Sequence, residues 1–284
     1  MFIQADMQRK RESAMRRVRA AIAEHGGTTL LSTGITGDDA RMARAAVAAG
    51  ARLLEPNHPA VALRSGLRGV RDMHEAEAVR HEVTIGQMAE VVRGIRSAVG
   101  PDIIITVGIP GGFTELQPVL VREEDFYQIA IAGADGLHTH KSSVVDLQEW
   151  VEAAHRYGMF VDAYIAHPQD RHILGLIAST PAEVAETART MQQLGVDIIG
   201  LMTGLTYQGT AAGEIPAEVN ARLRALVAVA GDTPTVAEGG ITLDNFSSLR
   251  ETGVSILVVG TTFDDIAADG IRHAVSTFLS GTTG

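Results

Sequence analysis

Short apolar runs alternate with amphipathic stretches along nearly the whole chain. Runs at 28–32, 51–55, 102–107, 136–138, 160–165 and 197–202 are rich in β-branched and aliphatic residues, and two more begin at Thr235 and Ile256. Between them, 38–49, 85–99, 123–132, 145–157, 181–194 and 216–230 carry apolar residues at helical spacing, and a last helix is predicted over 266–279. Thr180 is a good N-cap for the helix that follows it. Gly50, Gly133, Gly195 and Gly253 recur just ahead of strands, where a short helix-to-strand turn needs them. Eight strands, each followed by a helix, imply a parallel sheet with helices outside, and eight units favour a closed (β/α)8 TIM barrel over an open sheet.

Residues 5–24 read as an additional N-terminal helix. Met15, Val18, Ala21 and Ile22 form its apolar stripe, Arg9, Arg11, Arg16, Arg17 and Arg19 its basic face, and Gly26 and Gly27 end it. The expected organisation is a helical extension over 1–27 and a barrel over 28–284. The extension could cover the barrel bottom, mediate assembly or simply be solvated. The connection from 56 to about 82 is too long for a plain turn and is a candidate lid over the strand ends.

The last two strands each run into a glycine-bearing turn followed by a helical segment: Glu238, Gly239 and Gly240 after one, Gly260 and Thr261 after the other. In β/α barrels the loops after strands seven and eight form the usual phosphate cradle, because amides and helix N-termini favour an anion. Gly239, Gly240, Gly260 and Thr261 are therefore the predicted phosphate-binding residues, although glycines also serve tight turns.

Composition narrows the function. With 284 residues and 45% hydrophobic content the core is ample. There is no cysteine, so disulfides and thiolate metal sites are excluded. A net charge of −10 argues against nucleic acid or anionic membranes as partners. No apolar run reaches the ~18 residues of a membrane span, and the basic N-terminus lacks a signal-peptide pattern, so a cytoplasmic protein is expected. Lys10 and Lys141 are the only lysines, which makes Lys141 noticeable.

Reactive groups in such barrels sit at the carboxyl ends of strands. The candidates are Glu55 on strand two, His138, His140 and Lys141 on strand four, and Glu238 on strand seven. His138 and His140 alternate on one strand and so share a face. With Glu55 they could chelate a divalent metal, magnesium or similar, or they could hydrogen-bond substrate without one. Lys141 could form a Schiff base, supply positive charge to an enolate or phosphate, or be an exposed residue starting a helix. Glu55 could act as base or metal ligand, or pair with Arg64 or Arg68. Glu238 could be an acid or base facing the barrel centre, or structural. Asp162, Thr203, Gly204 and Gln208 are candidate substrate contacts. His58, His74 and His81, in the long connection, read as surface histidines.

The segment Asp197-Ile-Ile-Gly-Leu-Met-Thr-Gly-Leu-Thr-Tyr-Gln-Gly-Thr-Ala-Ala-Gly213, with the cradle after it, resembles the second half of the hexulose-6-phosphate synthase and 3-keto-L-gulonate-6-phosphate decarboxylase family. Glu55-Pro-Asn-His-Pro-Ala-Val-Ala-Leu-Arg-Ser-Gly66 is similar to that family's strand-two segment, and the likeness spans about 28–275. The resemblance implies a ribulose-phosphate-binding barrel, a homodimer with sites near the interface, and roles for Glu55, Thr203, Gly204, Gln208, Gly239, Gly240, Gly260 and Thr261. The family's strand-three Asp-x-Lys-x-x-Asp motif is missing from Thr106-Val-Gly-Ile-Pro-Gly111. The strand-one aspartate has no counterpart in Leu30-Leu-Ser-Thr-Gly34, and Met202 stands at the strand-six histidine position. Its metal-assisted enediolate chemistry does not transfer directly. The expected function is a lyase of aldolase or decarboxylase type on a small phosphorylated, sugar-like substrate. Alternatives are a sugar-phosphate isomerase or epimerase, a non-catalytic phosphate-ester-binding barrel, and a flavin or nucleotide site in the same cradle.

Overall fold

Eight parallel strands pair in chain order until the last returns to the first. In the computed structural model, which describes residues 2–113, 117–169, 175–205 and 215–281, they are β1 (Thr29–Ser32), β2 (Leu53–Leu54), β3 (Ile104–Phe113), β4 (Gly136–His140), β5 (Phe160–Ala166), β7 (Ile198–Met202), β8 (Thr235–Glu238) and β9 (Ile256–Val259). β4 pairs with β5, β5 with β7, and β9 with β1, which closes the (β/α)8 barrel. A ninth strand, β6 (Leu176–Ile177), is two residues appended to the far end of β5.

Helices Ile85–Val99 and Glu123–Ala132 form over the predicted spans. The first is opened by a capping box in which Thr84 and Gln87 satisfy each other's backbone amides. Thr180 caps Pro181–Gln193 in the same way. Three elements differ from the sequence reading. β2 shrinks to two residues. β3 runs on through Gly111 and Gly112 to Phe113, because Gly112 leaves room for the Trp150 ring, 2.8 Å from where a Cβ would stand. The last helix starts at Thr261 rather than 266. The long connection folds into two short helices, His58–Arg64 and Met73–Val79.

The lower barrel interior is apolar. Leu31, Leu53, Ile104, Phe160, Ile198, Val236 and Ile256 pack with Ala14, Met15, Val18 and Ala21 of the N-terminal helix, Phe2–Glu24. That helix covers the end of the barrel where the strands begin. Part of its basic face is held there: Arg17 donates to Asp135 Oδ1 at 2.6 Å and to Pro101 O, and Arg11 stands 3.6 Å from Asp197 Oδ1. Asp135 and Asp197 immediately precede β4 and β7, so the arginines neutralise carboxylates that the strand starts bring close to the core.

Candidate active site at the carboxyl ends of the strands

Strand parity assembles the site. Alternate residues of β4 and β5 point inward, so His138 and His140 meet Asp162 and Tyr164 inside the barrel. Glu55 follows β2 and Glu238 ends β8. His138 is the hub. Its Nδ1 lies 3.0 Å from Asp162 Oδ2 and 3.6 Å from Glu55 Oε2. Its Nε2 lies 2.6 Å from His140 Nε2 and 3.8 Å from Glu238 Oε2. Asp162 is held in turn by the Thr106 hydroxyl at 2.9 Å. Asn57 donates to Glu55 Oε1 at 2.9 Å. Tyr164 stacks on His140 with centroids 4.6 Å apart, and Phe113 meets it edge-on at 4.4 Å.

Burial and like charge set the protonation. Burial pushes Glu55 up to about 8, opposed by the neighbouring imidazole and reinforced by Glu238 and Asp162. Burial alone would lower His138. Glu55, Asp162 and Glu238 more than reverse that and raise it to about 10. Burial also raises Glu238, and lifts Tyr164 well above the usual phenol value. With no cation present the cluster therefore favours a doubly protonated His138, whose Nδ1–H faces Asp162; an ion at Nε2 would displace the proton there and leave the one on Nδ1.

Above this cluster opens a cavity of about 680 Å³. His138, His140 and Glu238 form its floor, and the turns Gly239–Gly240 and Gly260–Thr261 form one wall. Both turns lie on the same rim, as expected. Their carbonyls accept from the protein: Thr203 Oγ1 donates to Gly239 O, Asn245 Nδ2 to Gly240 O, and Phe263 N to Gly260 O. Among the described residues, no hydrogen bond runs from the amides of Gly239, Gly240, Gly260 or Thr261 to the protein itself. Gly239 and Gly240 have φ of 101° and 65°, backbone that a side chain would strain. The opposite wall comes from the long connection, through Asp72, Met73, His74 and Glu77.

The other expected residues fall in distinct places. Glu55 and Asp162 are buried behind His138 and do not line the cavity. Thr203 is buried and braces the Gly239 turn, while Gly204 lines the cavity. Lys141 turns away, 5.0 Å over the Trp150 ring, and lines a separate shallow depression. Gln208 lies outside the described residues. His58 is buried, not at the surface: it packs against Phe113 and its Nδ1 is 3.2 Å from Gly108 O. Sequence reasoning did not assign roles to Tyr164 or Thr106. Tyr164 shares the parity of Asp162 on β5, and Thr106 faces inward on β3, so strand alternation was the available signal.

Beside the site, Asp38 is 4% exposed and neither carboxylate oxygen has a hydrogen-bond partner. Burial raises its pKa well above the ordinary value, and Arg64 and the Asn57 amide offset only part of that. The folded chain therefore holds this proton more tightly than the unfolded chain. Stability falls as pH rises above about 4, through the folded-state pKa. Asp38→Asn is expected to stabilise the protein by about 1–3 kcal/mol at pH 8, with the gain vanishing near pH 3.5. Denaturant unfolding at the two pH values measures the difference.

No protein-family model matches the sequence, and no curated protein matches it either. Solved structures do. 2,3-Dimethylmalate lyase, described as a PEP mutase/isocitrate lyase superfamily member, superposes with a TM-score of 0.61 at 16% identity, over 94% of this chain and 87% of that one. A putative phosphonomutase from Burkholderia cenocepacia J2315 gives 0.60 at 20% identity, over 88% and 95%. A tryptophan synthase α-subunit from Pyrococcus furiosus gives 0.60 at 16%, over 86% and 91%. At these identities the likeness is one of fold, and it defines the class: a (β/α)8 barrel. The resemblance to the hexulose-6-phosphate synthase group rests on the sequence motifs alone.

Proposed function

We propose that the protein is a metal-dependent enzyme, a lyase acting on a small oxyanionic substrate through an enolate. The observation that carries this is the convergence of His138 Nε2, His140 Nε2 and Glu238 on one point of the cavity floor. Their ligand atoms all lie within 4.8 Å of one another. Two imidazoles and a carboxylate suit a divalent transition ion such as zinc, manganese or iron better than magnesium, which takes oxygen ligands. Glu238 Oε2 is buried without a hydrogen-bond partner, which a cation there would supply. When bound, the ion would act as a Lewis acid on a substrate carbonyl or carboxylate.

The chain's own residues have separable tasks. Asp162 and Glu55 face His138 Nδ1, keep its proton there and so aim Nε2 into the cavity; such outer carboxylates fix ring orientation and raise basicity. Tyr164 and Phe113 clamp His140 between rings. The amides at Gly239, Gly240, Gly260 and Thr261 receive the substrate's anionic end. Charge supports an obligatory cation. Asp72, Glu77, Glu238 and Asp265 line the cavity, and no lysine or arginine does among the described residues. A carboxylate about 6 Å from a substrate anion costs about 3 kcal/mol at an effective dielectric of ~20, so a bound cation is needed to reverse the sign.

A phosphorylated sugar acid or keto acid fits this arrangement, with its phosphoryl or carboxylate group at the glycine turns. The structural neighbours support the lyase reading: one is a 2,3-dimethylmalate lyase, and another is an oxaloacetate acetylhydrolase with oxalate bound. Small phosphorylated and unphosphorylated keto and hydroxy acids, incubated in D2O with the manganese- or zinc-loaded protein, test it by NMR. Cleavage accompanied by exchange of a carbon-bound proton, both lost on chelation, is expected. A binder or an isomerase would show itself as tight association without exchange, or as exchange without cleavage. Metal-independent turnover would refute the reading.

A further inference from the structure

A lyase that works through an enolate has to move a proton, and the groups at the floor are committed elsewhere. His138, His140 and Glu238 face the cation, while Glu55 and Asp162 stand behind His138, outside the cavity. Among the described residues, four further ionisable side chains line the cavity: Asp72, His74, Glu77 and Asp265. Asp72 is spent as a helix cap, accepting from Glu75 N at 2.9 Å. Asp265 is exposed, one turn into the final helix, Thr261–Gly281, at the end of the cavity where the anion sits. His74 is exposed near the start of Met73–Val79. Glu77 is half-buried one turn further along, on the same helical face as Met73 and His74.

The inner side of this segment reaches the floor. Ala76 is fully buried, and Arg80, one turn beyond Glu77, lies over the Phe113 ring, which meets His140 edge-on at 4.4 Å. Burial is the main cause of the raised Glu238 pKa, and the charge on Glu77 adds a smaller increment, so the two carboxylates feel each other. Glu77 stands on the wall opposite the glycine turns, level with the middle of a substrate held at both ends. We propose that Glu77 is the acid–base group of the site, taking the substrate's proton as the enolate forms and returning one to the enolate carbon. The inference rests on the enolate reading above. As the carbon–carbon bond breaks, its electron pair moves into the enolate. The hydroxyl on the departing carbon loses its proton to a Glu77 oxygen, and the O–H pair becomes the second bond of a carbonyl. Glu77 then gives the proton to the enolate carbon, where the enolate pair forms the C–H bond. Glu77 ends as the carboxylate it began, and no co-reactant is consumed.

Oxalate, an unreactive mimic of a small enolate, tests this without turnover. An enolate is present only when its base holds the proton, so oxalate binding to the manganese-loaded protein should take up about one proton. Calorimetry in buffers of different ionisation enthalpy counts it. Glu77→Gln should abolish the uptake and bind oxalate more tightly, with manganese affinity and circular dichroism unchanged. His74→Gln should keep the uptake. Any acid that the wild type cleaves should be cleaved about 10²–10⁴-fold more slowly by Glu77→Gln. A fall in manganese affinity of about tenfold or more in Glu77→Gln would place Glu77 in the metal's shell and overturn the assignment. Uptake that persists in Glu77→Gln, or disappears in His74→Gln, would overturn it as well. A wild type that binds no manganese would instead remove the enolate reading itself, and this assignment with it.

Discussion

His140→Ala is expected to weaken binding of zinc or manganese by more than about a hundredfold while the barrel remains folded. Loss of an outer partner alone costs about 10–100-fold at such sites, and His140 is one of the three groups that, among the described residues, converge on the floor of the cavity. Glu238→Gln is the sharper control. It keeps the shape and removes the charge, so its effect cannot be ascribed to a hole beside Tyr164. A drop of tenfold or more is expected, with unchanged circular dichroism. Asp162→Asn should weaken binding less than either, since it acts through His138 Nδ1. Titration calorimetry on chelator-treated protein measures all three. Equal affinity in wild type and His140→Ala would show that the converging imidazoles hold no ion.

Gly200→Ala is expected to destabilise the protein by about 1–3 kcal/mol, the usual cost of overpacking a filled core. A Cβ on Gly200 would stand 2.3 Å from the Tyr164 ring. That ring cannot yield on its other side, where it stacks on His140, itself pressed by Phe113. The same change should therefore disturb metal affinity although residue 200 touches no ligand. Gly136→Ala makes the comparison. Its Cβ would meet Phe160 at 2.3 Å, one layer lower, in the apolar part of the barrel. It should cost similar stability and leave metal affinity nearly intact. Thermal unfolding and calorimetry on the two variants separate packing from positioning.

The barrel was legible because its period is carried by many residues at once. Ile85–Val99 and Glu123–Ala132 show helical spacing over three or four turns, and the glycines that end helices recur at each unit. Strand β2 was overcalled: the Glu55 amide still bonds Ser32 O, but the residue pairing with β1 ends at Leu54. At the site, His138, His140 and Glu238 were legible from their place at strand ends. What sequence could not convey is which side of a ring each carboxylate takes. Glu55 was grouped with the histidines as a metal ligand, but it faces Nδ1, whereas Glu238 faces Nε2. That distinction depends on barrel radius and register, quantities set by the closed sheet and not by local spacing. Lys141 was drawn in as one of two lysines and by its place at the end of strand four, yet it is the first residue beyond β4, where its ammonium lies over the Trp150 ring.

The helix Phe2–Glu24 seals the end of the barrel opposite the histidines. With that end stoppered, the cavity is a blind well. On the reading proposed above, ion, reactant and product would pass the rim that the glycine turns and the Met73–Val79 helix form among the described residues. A reactant seated there corks the route by which the deep acid–base groups reach bulk water. On that reading, Glu55 and His138 would keep, until the reactant leaves, the protons they carried when it arrived.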